Sequence, residues 1–290
     1  MKRKHCLNFI NMPLVALALT AGTVIAGTEV APAPAPAPAP CDDIISATLS
    51  LSANSHFVSY GKDVWADGSS MSRMGFNPML EFAFKLPENF TFTLGTWWDV
   101  TAKGDGLFLG NGDPYPSIGG DVYEIDLWTG LSYTYEKFTI GATYQTWLYG
   151  DAVEQIVDIK LAYDTLLSPY LLFHNRVSEG ASGGDNGTVM VLGLSYSIEA
   201  GPVTFTVPFG VAAVLTDDYN RYDSAGGSDT GYSYTSLGLQ ASYPLAFLGT
   251  CYGEWGVTGG IVQYWGDADT LPNNPRNQYL TYNVGLTASF

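Results

Sequence analysis

Positive charge is the scarcest ordinary property of this sequence. Its 290 residues carry 12 Lys and Arg against 28 Asp and Glu, a formal net charge of −16, and no basic patch or interleaved basic and aromatic run offsets this. Such a polyanion is a poor partner for nucleic acid, and that class of function is set aside. Charge of either sign is thin, at 14% of residues, where a soluble domain has about a quarter. Long apolar runs are missing as well: beyond residue 26 none approaches the roughly 18 residues that a spanning helix needs, which excludes a helical membrane protein. Histidine is down to three, which leaves little for catalysis. Ser55-His56 with Ser59 nearby is the one hydrolase-like grouping, and in an extended strand Ser55 points away from His56. No cofactor or metal motif is present. The oxygen-rich stretches around Asp105, Asp113, Asp217, Asp218, Asp223 and Asp229 lack the ligand spacing of a dedicated Ca²⁺ loop and read as solvated loop charge.

What is present begins with an export address. Lys2, Arg3 and Lys4 precede an apolar centre from Met12 to Ile25, and Val24-Ile25-Ala26 is a small-residue cleavage pattern, so residues 1–26 read as a signal peptide. Removing them takes away three of the 12 basic residues and no acid, leaving −19. Residues 27–43 contain five Ala-Pro repeats and read as a semi-rigid periplasmic linker. Of the three cysteines, Cys6 leaves with the signal, while Cys41 and Cys251 meet an oxidising compartment. Their pairing stays open, because two strand spacings of about 5 Å exceed disulfide reach unless the segment carrying Cys41 folds across.

From residue 44 to residue 290 the dominant signal is a period of two. Ala47, Leu49, Leu51, Ala53 and Phe57 alternate with Ser50, Ser52, Asn54 and His56. A short segment follows around Leu80, Phe82 and Phe84. The pattern recurs around Phe90–Val100, Tyr123–Tyr133, Phe138–Leu148, Val157–Tyr163, Leu171–Arg176, Met190–Ile198, Val203–Val211 and Leu237–Tyr243. Pro208 predicts a bulge in the ninth segment. Tyr252–Trp265 has an ambiguous phase because Gly259-Gly260 breaks the alternation. The last stretch sets Leu280, Tyr282, Val284, Leu286 and Ala288 against Thr281, Asn283, Gly285, Thr287 and Ser289. Successive strand side chains point to opposite faces, so each segment has one apolar and one polar side. Links after even-numbered segments are short, and those after odd-numbered ones are mostly long and polar. A soluble β-sandwich also alternates. A uniform apolar face, an export signal and this link parity together point instead to a transmembrane antiparallel up-and-down β-barrel of about twelve strands, with both ends in the periplasm.

The closing stretch, through Tyr282, Gly285 and the terminal Phe290, resembles the C-terminal signature of bacterial outer-membrane β-barrel proteins, departing from it at Ala288. That resemblance implies an assembly signal read by the barrel assembly machinery, outer-membrane localisation, and lipid and lipopolysaccharide as surroundings. Phe57-Val58-Ser59-Tyr60-Gly61, Gly95-Thr96-Trp97 and Glu124-Ile125-Asp126-Leu127 are similar to a group of proteobacterial outer-membrane barrel proteins. This second match spans less than half of the chain and implies no substrate.

The polar faces would line the lumen. Trp97, Trp128 and Trp147 fall there on three consecutive strands, with Trp97 and Trp128 at similar heights, and Asp99 and Asp126 slightly above them. Rings with carboxylates suit a sugar or cation track; the plainer reading is that bulky rings fill a narrow barrel. Glu81, Asp99, Glu124, Asp126 and Asp158 outnumber Lys160 and Arg176, with His174 also facing inward, which favours cations if water fills the lumen. The expected function is a porin-like channel for small hydrophilic solutes, the alternative being a plugged barrel with a structural or adhesive surface role; an enzyme is disfavoured.

Overall fold

The computed structural model describes residues 44–64, 74–101, 118, 121–150, 152–178, 184–221, 227–249, 251, 253–272 and 274–290. The export segment, the Ala-Pro arm and Cys41 lie outside them, as do Asp105, Asp113 and Asp223.

Alternation closes the chain on itself. The strands are β1 (Ile45–Asn54), a minimal hairpin of β2 (Val58–Ser59) and β3 (Lys62–Asp63), then β4 (Gly75–Lys85), β5 (Phe90–Thr101), β6 (Val122–Tyr135), β7 (Phe138–Tyr149), β8 (Ala152–Tyr163), β9 (Tyr170–Ser178), β10 (Gly187–Ala200), β11 (Val203–Val214), β12 (Gly231–Pro244), β13 (Glu254–Gly266) and β14 (Gln278–Ser289). Setting the β2–β3 hairpin aside, twelve strands pair antiparallel in sequence order, and β1 pairs with both β4 and β14 to complete a closed barrel. Closure leaves no edge of unpaired amides and carbonyls. The seam is finished by the last residue: Phe290 N–H donates to Ala47 O at 2.9 Å and Ala47 N–H to Phe290 O at 3.1 Å.

The two ends of the barrel differ. Tight links such as Glu136-Lys137 and Gly201-Pro202 sit at the end where β1 starts and β14 stops. Glu136 and Gly201 take positive φ there, the backbone reversal a two-residue link requires. The longer links lie at the opposite end, except for the brief one between β7 and β8.

Four expectations are corrected. The second segment is a full strand of 11 residues, because Phe76 and Pro78 continue the outward phase of Leu80, Phe82 and Phe84. Register is unbroken at Pro208, which faces Ser195; the irregularity between β11 and β12 falls at Ala212/Ala213. Trp97 and Trp128 are not level: Trp97 faces Asp126, and Trp128 faces Gly95. Finally, the first strand stops at Asn54, so Phe57 does not continue its outer face. The β13 phase resolves with Val257 and Ile261 outward, Val262 and Tyr264 inward.

Candidate functional site

The site is the barrel interior, and it divides along its axis. Toward the tight-turn end the inner face carries small polar residues, among them Thr48, Ser50, Thr93, Ser132, Thr139 and Thr258, all partly exposed. Hydroxyls pair across strands: Thr134 Oγ1 with Thr139 Oγ1 at 3.0 Å, and Ser197 Oγ with Thr206 Oγ1 at 2.9 Å. Large rings here lie against the wall. Trp128 covers Gly95 and Tyr170 covers Gly193, so closely that a Cβ on either glycine would collide with the ring. Trp128 Nε1–H donates to Glu81 Oε2 at 2.9 Å, and Lys160 Nζ sits 4.4 Å from the Tyr170 ring centroid.

Toward the long-loop end the interior is packed. Ile156, Leu172, Val189, Val191, Ala212 and Val214 turn inward from β8 to β11 and are buried. Against this wall sits the hairpin from Ser55 to Val64. Its tip, Tyr60-Gly61, has φ of 44° and 82°, the two positive values of a tight reversed turn. Phe57 packs on Trp97 at 5.3 Å between ring centroids, Val58 is fully buried, and Tyr60 stacks on His174 at 3.8 Å. Burial of three such side chains is worth about 1.5–3 kcal/mol each. Polar clasps hold the tip: Tyr279 Oη and Asn274 Nδ2 donate to Gly61 O at 2.8 and 2.7 Å, and Asp63 N–H donates to Asn274 Oδ1 at 2.9 Å. Burial lowers the Lys62 ammonium to about 8, against the opposing pull of the Asp63 carboxylate.

Apart from Glu81 and Lys160, the charged residues singled out from sequence gather around this packed zone. His174 Nδ1 lies 2.7 Å from Asp158 Oδ1, with Trp147 stacked on the imidazole at 5.4 Å. Gln145 links the two, donating to Asp158 Oδ2 at 2.6 Å and accepting from Trp147 Nε1–H at 3.0 Å. Arg176 makes an ion pair with Glu154, donates through Nη1 to Tyr219 O at 2.7 Å, and lies over the Tyr219 ring. Glu154 carried no signal of its own; its inward phase, opposite Trp147 on β7, could have found it. Asp99 faces Glu124 across β5 and β6, next to the Trp97–Asp126 pair, and all three carboxylates are buried. Asn77 Nδ2 donates to Asp99 Oδ1 at 3.3 Å. Among the described residues, no three His, Cys, Asp or Glu side chains are placed to hold a metal ion.

Leaving the strand after Asn54 also brings Ser55 onto His56, contrary to the extended-strand expectation. Ser55 Oγ is 2.8 Å from His56 Nδ1, and His56 Nε2 is 3.8 Å from Asp63 Oδ2. All three are buried, and Ser55 Oγ also accepts from Tyr282 N–H at 2.8 Å, so its hydroxyl anchors the hairpin to β14.

No protein-family model matches this chain, and no curated protein sequence does. Among solved structures, an outer-membrane channel from Pseudomonas putida F1 aligns at 11% identity over 87% of this chain and 100% of its own, with a TM-score of 0.50. The KdgM porin, solved with disordered oligogalacturonate, aligns at 11% identity over 84% of this chain and 99% of its own (TM-score 0.44), and the NanC porin at 10% over 83% and 98% (TM-score 0.45). The likeness is one of fold. What this chain's interior can do is read from its own residues.

The outer face is apolar and exposed over the whole circumference, with Leu94, Leu131, Leu192 and Val284 each about half exposed. Tyr135, Phe138, Tyr163 and Tyr243 ring the tight-turn end, and Phe76, Trp98 and Tyr232 lie toward the other. Tyr282, Val284, Leu286 and Phe290 are outward in the closing strand. Gly285 faces in, where a Cβ would come within 2.8 Å of Leu51 O. Cys251 is exposed in the link before β13.

Proposed function

We propose that this chain is an outer-membrane barrel that passes small hydrophilic solutes, with a preference for cations. The observation that carries this reading is the inversion of the two faces: a circumference of exposed leucine, valine and aromatic side chains outside, and small hydroxyl residues inside at the tight-turn end. An apolar belt of that extent in water would drive association, whereas in lipid it is solvated, with aromatic rings suited to the headgroup boundaries. In this placement the tight turns and both chain ends are periplasmic, lipopolysaccharide surrounds the long-loop end, and Tyr282, Gly285 and Phe290 present the closing strand to the assembly machinery. Cation preference rests on the inward carboxylates of Asp99, Glu124, Asp126 and Asp158, set against Lys160 and the paired Arg176.

A second reading, a plugged barrel whose loops serve a surface or adhesive role, is favoured by the hairpin packed on Trp97 and His174. Catalysis is disfavoured because Ser55 Oγ is held by Tyr282 N–H in a buried contact. Planar-bilayer recording decides between the two main readings. A channel gives discrete conductance with a reversal potential on the cation side, and Asp126→Asn with Asp158→Asn shifts that potential toward zero. Anion preference defeats the carboxylate argument, and persistent silence defeats the channel.

A further inference from the structure

The hairpin is built differently from the wall strands that surround it. Wall strands are held by continuous backbone ladders, but β2 and β3 pair only with each other, Val58 with Asp63 and Ser59 with Lys62. The pairings of β1 with β4 run the full length of both strands, from Ile45–Phe84 to Asn54–Gly75, and those of β1 with β14 reach Asn54. Withdrawing the hairpin from His56 onward therefore breaks no wall pairing, while Ser55, whose N–H donates to Tyr282 O at 2.9 Å and whose Oγ accepts from Tyr282 N–H, stays on β14 as its hinge. What it breaks are side-chain clasps, ring contacts and apolar burial, among them Tyr279 and Asn274 on Gly61 O, Asn274 on Asp63 N–H, Tyr60 on His174, Phe57 on Trp97 and the burial of Val58. The groups left behind on the wall include pairs that do not involve the hairpin, His174 with Asp158 and Arg176 with Glu154.

We propose that His56–Val64 is a displaceable gate hinged at Ser55: seated, it closes the long-loop half of the barrel; withdrawn, it exposes the carboxylates of β5, β6 and β8 to the solute path. The gate rests on the channel reading above. It places the closing element in a segment whose backbone ladder is its own, seated by apolar burial of Phe57, Val58 and Tyr60 and by polar clasps that water can replace. The barrel then switches state without altering its circumference.

The test uses the full chain in planar bilayers, freed of its native cysteines. Asp63→Cys with Asn274→Cys joins the hairpin to the link between β13 and β14, where Asp63 N–H meets Asn274 Oδ1; a second form replaces residues 56–63 with Gly and Ser. Heat-modifiable gel migration confirms that each barrel is folded. The gate predicts intermittent openings for the parent, loss of conductance in the oxidised cysteine pair with recovery on reduction, and continuous conductance in the replaced form. Equal conductance of oxidised and reduced pairs, or a replaced form no more open than the parent, overturns the gate and leaves the channel standing. A silent parent beside an open replaced form overturns it in favour of a fixed plug. Silence in every folded form removes the channel reading itself, and the gate with it. Should the replaced form not fold, the cysteine pair decides alone: silence only when oxidised upholds the gate, and silence in both states removes the channel.

Discussion

The two halves of the barrel interior are made by the same twelve strands, and they differ in how much water each can hold. At the tight-turn end, threonine and serine line the wall, and the large rings lie over Gly95 and Gly193. At the long-loop end, the same strands turn Ile156, Val189, Val191 and Val214 inward and receive a hairpin. One half is a vestibule walled by partly exposed hydroxyl residues; the other is a protein core placed inside a barrel. Stability should therefore be concentrated at the packed end, and solute contact at the open one. The polar groups of the packed end matter most, since a low-dielectric interior makes an unpaired charge costly.

The largest break in this contrast is expected at Arg176. Arg176→Met leaves Glu154 buried without its ion pair, which should cost about 3–5 kcal/mol in reversible urea unfolding from lipid vesicles. Adding Glu154→Leu should recover most of that loss, and no recovery would mean that Arg176 acts through Tyr219 O instead. The next effect tests the vestibule. Gly95→Val displaces Trp128 from the wall and from Glu81, with a cost of about 1–3 kcal/mol and a reduced open-state conductance in the replaced-hairpin form. Unchanged conductance would show that the ring finds another place along the wall.

A smaller effect comes from the hairpin's own titration. Lys62 is lowered to about 8 from its ordinary 10.5 by burial, so the withdrawn hairpin binds the proton more tightly than the seated one. Seating is therefore weakened below about pH 8 and strengthens as pH rises from there toward 10.5, by linkage. Proteolysis of the hairpin in intact barrels should slow across that window, and Lys62→Met should abolish the change. The smallest effect belongs to the vestibule wall. Thr134→Ala removes one partly exposed hydroxyl contact and should cost about 0.5 kcal/mol or less, since water replaces the lost partner.

Legibility in the sequence follows the same division. The outer wall was readable almost throughout, because lipid-facing residues must be apolar at every second position whatever the loops do. The inward phase of Trp97, Asp99, Glu124, Asp126, Trp128, Trp147, Asp158, Lys160, His174 and Arg176 was readable for the same reason. Their partners were not. Trp97 and Trp128 looked level because heights were counted from turns, whereas strand register sets Trp97 beside Asp126 and Trp128 beside Gly95. The packed end did leave a mark: Val189-Met190-Val191-Leu192 and Val211 to Val214 are apolar on both faces, as in strands buried on both sides. Phe57 misled because it continued the phase of β1 by coincidence, two residues past the end of that strand.

By itself, the sequence determined that this chain makes strands with one apolar and one polar face, in an order of short and long links that lets them close, because side-chain direction in a strand is fixed by local backbone geometry. Only the tertiary structure decided that Ser55–Val64 turns inward, that Tyr60 lands on His174 and that Glu154 meets Arg176. Those contacts join residues far apart in the chain, and no local period encodes which of them share a height once the barrel has closed.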